Sequence, residues 1–130
     1  MEKSMTNFMA YSDVENLKTF KTHAEIENYR NQLLLRNKDY VDFFKVQSNN
    51  VGLNVVEIGS GSSCLLYCME QRCILREGLG IEPSLSRYKF AEKWKEDKGF
   101  SKVRNVNIEF IKIVLSRKQR ISGWIIEASI

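Results

Sequence analysis

Val51-Gly-Leu-Asn-Val-Val-Glu-Ile-Gly-Ser-Gly-Ser-Ser63 is the stretch on which the reading of this chain turns. Leu53, Val55, Val56 and Ile58 make a short apolar run rich in β-branched side chains. That is the length and content of a strand buried on both faces. The run stops at Gly59-Ser60-Gly61, and helix-compatible sequence follows at once. Glycine lets the backbone turn sharply and approach a ligand with no Cβ in the way. The helix beyond it aims its first N–H groups at the same place. Strand, glycine turn and helix in this order form a nucleotide-site arrangement of α/β proteins.

Toward the C-terminus, Leu79-Gly80-Ile81-Glu82 reads as the end of a second short strand, with Gly78 just before the strand. Glu82 stands 21 positions past Gly61. An acid at about that distance, on the tip of the next strand, reaches ribose hydroxyls, and a carboxylate suits the task because it accepts two hydrogen bonds at once. Between the two strands, Ser62 or Ser63 caps a helix carrying Leu65, Leu66, Met69 and Cys73. Pro83-Ser84 opens the next helix with Ser84 as N-cap. Leu85, Tyr88, Ala91 and Trp94 form its inward row, Lys95 and Lys98 face water, and Gly99 is its C-cap. Val106 to Leu115 predicts a third strand by its Ile, Val and Phe content. Arg117-Lys-Gln-Arg120 reads as a solvated loop, and Gly123 to Ile130 as a fourth short strand.

Toward the N-terminus, Thr22-His-Ala-Glu25 is a capping-box sequence. Ile26, Tyr29, Leu33, Tyr40, Val41 and Phe44 then recur at helical spacing, with Arg30, Gln32, Lys38 and Asp39 largely opposite. The spacing predicts a long amphipathic helix ending near Val46 that covers one face of the sheet, and a loop over Gln47-Ser-Asn-Asn50. A short helix around Asp13 to Phe20 is expected before it, and the first ten residues carry little pattern.

At 130 residues, 43% hydrophobic and 28% charged, the chain has the make-up of a globular domain with a core of its own. The net charge of +4, from 20 basic against 16 acidic residues, is spread along the chain and gives little support for a nucleic-acid partner. No apolar run approaches the roughly 20 residues of a membrane span. Met1-Glu-Lys-Ser-Met-Thr-Asn has no signal-peptide core, so a cytoplasmic location is expected. Cys64, Cys68 and Cys73 are then expected to be reduced. Their spacing does not suit zinc, and His23 is the only histidine, so no metal site is expected. Cys64 and Cys68, one helical turn apart, read as small apolar packing groups.

The order is a helix, then β-α-β-α-β, then a further short strand. It predicts an α/β, Rossmann-like parallel sheet with helices on both faces, incomplete at about three to four strands. This is roughly one mononucleotide-binding half of a doubly wound fold. Residues 1–49 form a helical cap and residues 50–130 a partial Rossmann-like core of one domain.

At Glu57-Ile-Gly-Ser-Gly and Gly80-Ile-Glu82-Pro-Ser the chain resembles the class I S-adenosylmethionine-dependent methyltransferases, most firmly over Val55 to Phe110. The resemblance implies that Glu57 is the acid two residues before the first glycine. It implies that Gly59, Ser60 and Gly61 pack against the methionine part of S-adenosyl-L-methionine. Glu82 would hold both ribose hydroxyls, and Pro83 would border the adenine. Glu57 also sets the chain apart from NAD-binding Rossmann domains, where a pyrophosphate would meet this carboxylate as a like charge. The third glycine of the dinucleotide fingerprint is Cys64 here. Two departures stand out. Ser63 replaces a further glycine of the family. Ile111-Lys-Ile-Val-Leu-Ser-Arg-Lys also offers no match for the acidic or amide residue expected just past the third strand. No catalytic base is assigned, Glu127 being the only acid in the last strand. The family's later strands have no counterpart, so the chain reads as a truncated cofactor-binding methyltransferase domain acting on an acceptor, with a small molecule favoured. The alternative is a non-catalytic interaction module that self-associates through the uncovered sheet edge.

Overall fold

The computed structural model describes residues 20–48, 51–108 and 124–128. Helix α1 (His23–Gln47) leads into β1 (Leu53–Ile58), α2 (Cys64–Gln71), β2 (Leu75–Ile81), α3 (Leu85–Lys98) and β3 (Val103–Val106), and β4 (Trp124–Ala128) follows. The four strands form one parallel sheet in the order β3-β2-β1-β4. The expected short helix at Asp13 to Phe20 lies almost wholly outside the described residues, as does the Arg117 to Arg120 loop.

The helix boundaries follow local chemistry. The Thr22 hydroxyl accepts from Glu25 N–H at 3.2 Å. The return arm differs from the expected box, because Glu25 Oε2 accepts from Lys21 N–H, one residue earlier than the cap. The Ser84 hydroxyl accepts from Arg87 N–H. Gly99 ends α3 at φ 69°, a left-handed conformation that costs glycine nothing, and its N–H donates to Lys95 O.

Strand register explains the core. Val55 of β1 stands beside Gly78 of β2, which stands beside Val103 of β3. Both valines join Leu66, Phe90, Trp94, Ile26 and Leu33 in one apolar cluster, so the described helices share one face of the sheet. The sequence reading put helices on both faces. Steps from β1 to β2 to β3 run in one direction, and right-handed crossovers then place both connecting helices on the same side. Tyr67, Trp94 and Phe100 pack ring on ring at the centre of this layer, with Tyr67 and Phe100 stacked at 4.4 Å. Such pairs add roughly 0.5–1.5 kcal/mol each beyond area burial.

Four details depart from the periodicity. Gly78 lies inside β2, because the strand starts at Leu75. The third strand is Val103–Val106, and residues 107–108 continue it as irregular chain; the remainder of the predicted Val106 to Leu115 strand lies outside the described residues. In α3 the inward residues are Phe90, Ala91 and Trp94, whereas Leu85 is exposed. In α1, Tyr40 is exposed and Arg30 is buried, its guanidinium bonded to Glu27 and Asp97 and lying 5.8 Å from the ring centres of Phe90 and Trp94. Burying this cation is tolerable because it keeps two carboxylate partners and two aromatic faces. Helix α1 therefore packs on α2 and α3 through both apolar and ionic contacts.

Candidate functional site

Beyond the Val55–Gly78–Val103 row, the same face of the sheet turns polar. The next row runs Asn105, Gly80, Glu57 and Glu127 across β3, β2, β1 and β4. Glu57 is buried to 3% exposure and Asn105 to 7%. Ser60, Ser63 and Glu82 are also buried just beyond the row. Apart from Arg30, these are all the buried polar or charged residues among the described ones. Burying such groups is costly unless they are bonded, so their concentration at one end of the sheet marks a candidate site.

The glycine turn closes over this row. Gly59 and Gly61 have φ of 77° and 58°, left-handed values that justify both glycines. Gly59 N–H and Ser60 N–H both donate to Ile81 O, at 2.8 and 3.1 Å. Gly61 N–H donates to Glu82 Oε1 at 2.8 Å, and Ser84 N–H to Glu82 Oε2 at 2.8 Å. Glu82 therefore ties the glycine turn to the start of α3, a structural role the sequence did not disclose. Each of its oxygens retains a second lone pair. These three backbone donors are used internally, and the helix that follows brings its own first N–H groups to the turn. A Cβ built on Gly61 meets no atom within 4 Å, so the outer side of the turn is open. Pro83 is exposed beside it.

Gly80 makes the inner side possible. A Cβ there would stand 2.8 Å from Ser60 Oγ, 2.9 Å from Ser63 Oγ and 3.0 Å from Asn105 Oδ1. Of the two serines expected as the cap of α2, Ser62 and Ser63, the second stands there. It occupies the cap position at φ 63° without a side-chain cap bond, and its hydroxyl donates to Asn105 Oδ1 instead. Asn105 Nδ2 donates to the Tyr67 hydroxyl at 3.0 Å, which donates to Ala91 O at 2.6 Å. Burial pushes the Tyr67 phenol well above its ordinary value, and the Asn105 amide partly offsets this.

At the α1 side, Asn37 Nδ2 donates to Cys64 Sγ at 3.3 Å. Burial pushes the Cys64 thiol up; a hydrogen bond from Ser62 opposes this and the Glu57 carboxylate adds to it. Cys68 is raised by burial as well. Both behave as the packing thiols the sequence suggested.

The sequence reading missed two amides. Asn105 lies in the polar row, and Asn107 follows β3 with its Nδ2 donating to Glu82 O at 2.8 Å. Placing the third strand too late hid both. Asparagine is depleted in strands, so one inside a Val-Arg-Asn-Val run was the available signal.

The fold, an incomplete Rossmann-like parallel sheet, is similar to that of several solved S-adenosylmethionine-dependent methyltransferases. A putative S-adenosylmethionine-dependent methyltransferase from Methanococcus maripaludis matches with a TM-score of 0.53 at 12% identity, over 72% of this chain and 46% of its own. Magnesium protoporphyrin IX methyltransferase from Synechocystis, solved with S-adenosylmethionine bound, matches at TM-score 0.52 and 15% identity, over 80% and 49%. A methyltransferase from Aquifex aeolicus matches at TM-score 0.51 and 15% identity, over 69% and 48%. The chain spans less than half the length of these structures. No family model matches it, and no curated protein matches its sequence. No helix among the described residues is long and apolar enough to cross a membrane.

Proposed function

We propose that this chain binds S-adenosyl-L-methionine over the glycine turn, as the cofactor-binding part of a class I methyltransferase. The observation that carries the reading is the buried polar row under an open glycine turn. The buried Glu57 carboxylate favours the cationic end of the cofactor. A pyrophosphate would be repelled there. Gly59, Ser60 and Gly61 border the methionine part, where the lack of a side chain at Gly61 leaves room. The remaining lone pairs of Glu82 accept the ribose hydroxyls. Pro83 and Asn107 border the adenine, Asn107 supplying the amide that the resemblance calls for just past the third strand.

The cofactor supplies a methyl group on a sulfonium, which the acceptor displaces in line. The chain's own contribution is to hold the ligand in place, the source of much of the rate gain in such reactions. The modest and dispersed charge favours a small-molecule acceptor.

Calorimetry with S-adenosylmethionine, S-adenosylhomocysteine and NAD tests the reading. Heat with the first two and none with NAD is expected. Silence from both sulfur ligands overturns it and leaves the non-catalytic interaction module, which light scattering would reveal as self-association.

A further inference from the structure

We infer that Asn105 and Tyr67 are positioning residues for the cofactor turn. They act by holding Ser63 in the left-handed conformation that connects the glycine turn to α2. This rests on the cofactor reading above, but the geometry stands apart from it.

Ser63 is fully buried and sits at φ 63°. For a residue with a Cβ the left-handed region costs roughly 1–2 kcal/mol relative to the ordinary helical one. Glycine would take it freely. The conformation decides the shape of the turn, because Ser63 N–H donates to Ser60 O and Ser63 O accepts from Tyr67 N–H. The backbone of one residue thus links the end of the turn to the first turn of the helix. What holds it is the chain of bonds from the Ser63 hydroxyl to Asn105 Oδ1, from Asn105 Nδ2 to the Tyr67 hydroxyl, and from Tyr67 to Ala91 O. Asn105 and Tyr67 each accept from one neighbour and donate to the next, and Ala91 and Tyr67 are themselves fully buried in α3 and α2. The chain spans β3, α2 and α3, so the turn inherits the rigidity of three elements. None of these three side chains needs to touch the ligand.

Without the bond to Asn105, Ser63 would redistribute toward ordinary φ values. The share of molecules with the turn correctly shaped would fall by up to roughly five- to thirty-fold, the stated backbone cost expressed as a ratio. Apparent cofactor affinity falls with that share.

The test uses the 130-residue chain and four forms: wild type, Asn105→Ala, Ser63→Gly, and the double variant. Two quantities are read in each. One is the amide hydrogen-exchange rate of residues 59–64. The other is the dissociation constant for S-adenosylhomocysteine. Asn105→Ala should speed exchange in the turn and weaken binding by several-fold or more. The double variant should recover most of both, since glycine enters the left-handed region without the penalty serine meets, while its melting temperature stays low because the Tyr67 hydroxyl has still lost its amide donor. A merely structural Asn105 would show no such split between recovered turn and unrecovered stability. Failure of Ser63→Gly to rescue the exchange rates overturns the inference. If the wild type binds no cofactor, the function proposed above fails, and the exchange rates alone still decide this inference. If Asn105→Ala does not fold, Tyr67→Phe, which removes only the hydroxyl, replaces it with the same expected rescue.

Discussion

Glu82→Gln separates two roles that one side chain performs. In the structure each Glu82 oxygen receives one backbone N–H, from Gly61 and from Ser84, at 2.8 Å, and the residue is 4% exposed. A glutamine amide keeps one acceptor and turns an NH2 toward the other backbone donor. One charge-assisted bond is lost, worth roughly 1.5–3 kcal/mol when a charged group is involved, and a partly buried N–H is left facing a second donor. The expected loss is about 2–3 kcal/mol. For a chain of this length about 3–5 °C of melting temperature goes with each kcal/mol, so the midpoint should fall by about 6–15 °C. Glu82→Asp keeps the charge but is one methylene too short to span both donors, and should fall as well. Circular dichroism melts in the absence of any ligand provide the assay. A Glu82→Gln midpoint within about 2 °C of wild type would refute the anchoring role, whatever happens to cofactor binding.

Gly80→Ala brings a Cβ within 2.8–3.0 Å of three oxygens, two of them fixed in the Ser63–Asn105 bond, and should cost about 1–3 kcal/mol as overpacking, read as a lowered melting midpoint. Arg30→Met should be nearly neutral in stability, because Asp97 retains Lys93 and Glu27 retains Lys98, whereas Arg30→Ala should lose roughly 2–4 kcal/mol through the cavity beside Phe90 and Trp94; equal melts for the two would contradict this. The Lys98 hydrogen bond lowers Glu27 below its ordinary 4.5; Asp97 falls below 3.8 through Lys93 and Arg30, against the desolvation that is its largest single influence. Their contribution is present above those ordinary values and is lost as pH falls through the lowered folded ones, and that acid-side loss should shrink in Arg30→Met when midpoints are followed from pH 6 to pH 2. Iodoacetamide at neutral pH should alkylate exposed Cys73 first, with Cys64 and Cys68 slower because burial raises both thiols; peptide mapping that finds Cys64 as fast as Cys73 would contradict the packing role.

The sequence alone determined what neighbouring residues decide among themselves. An apolar run followed by Gly59-Ser-Gly61 can be little else than a strand and a tight turn, because glycine accepts the left-handed values found at both positions without the cost a Cβ imposes. Thr22, Ser84 and Gly99 mark helix ends by chemistry that reaches no further than four residues. Glu82 was found by its spacing from the turn, which the length of one strand–helix–strand unit dictates. Tertiary structure decided what depends on which strands lie side by side. The row Asn105–Gly80–Glu57–Glu127 draws one residue from each of four strands distant in the chain, and no periodicity within a segment predicts a register between segments. Ser63 looked like a helix cap and Arg30 like a solvated cation for the same reason. Each local pattern was sound, but the partner that overrode it, Asn105 in one case and Asp97 with two aromatic rings in the other, arrives only when the sheet and its helices are assembled.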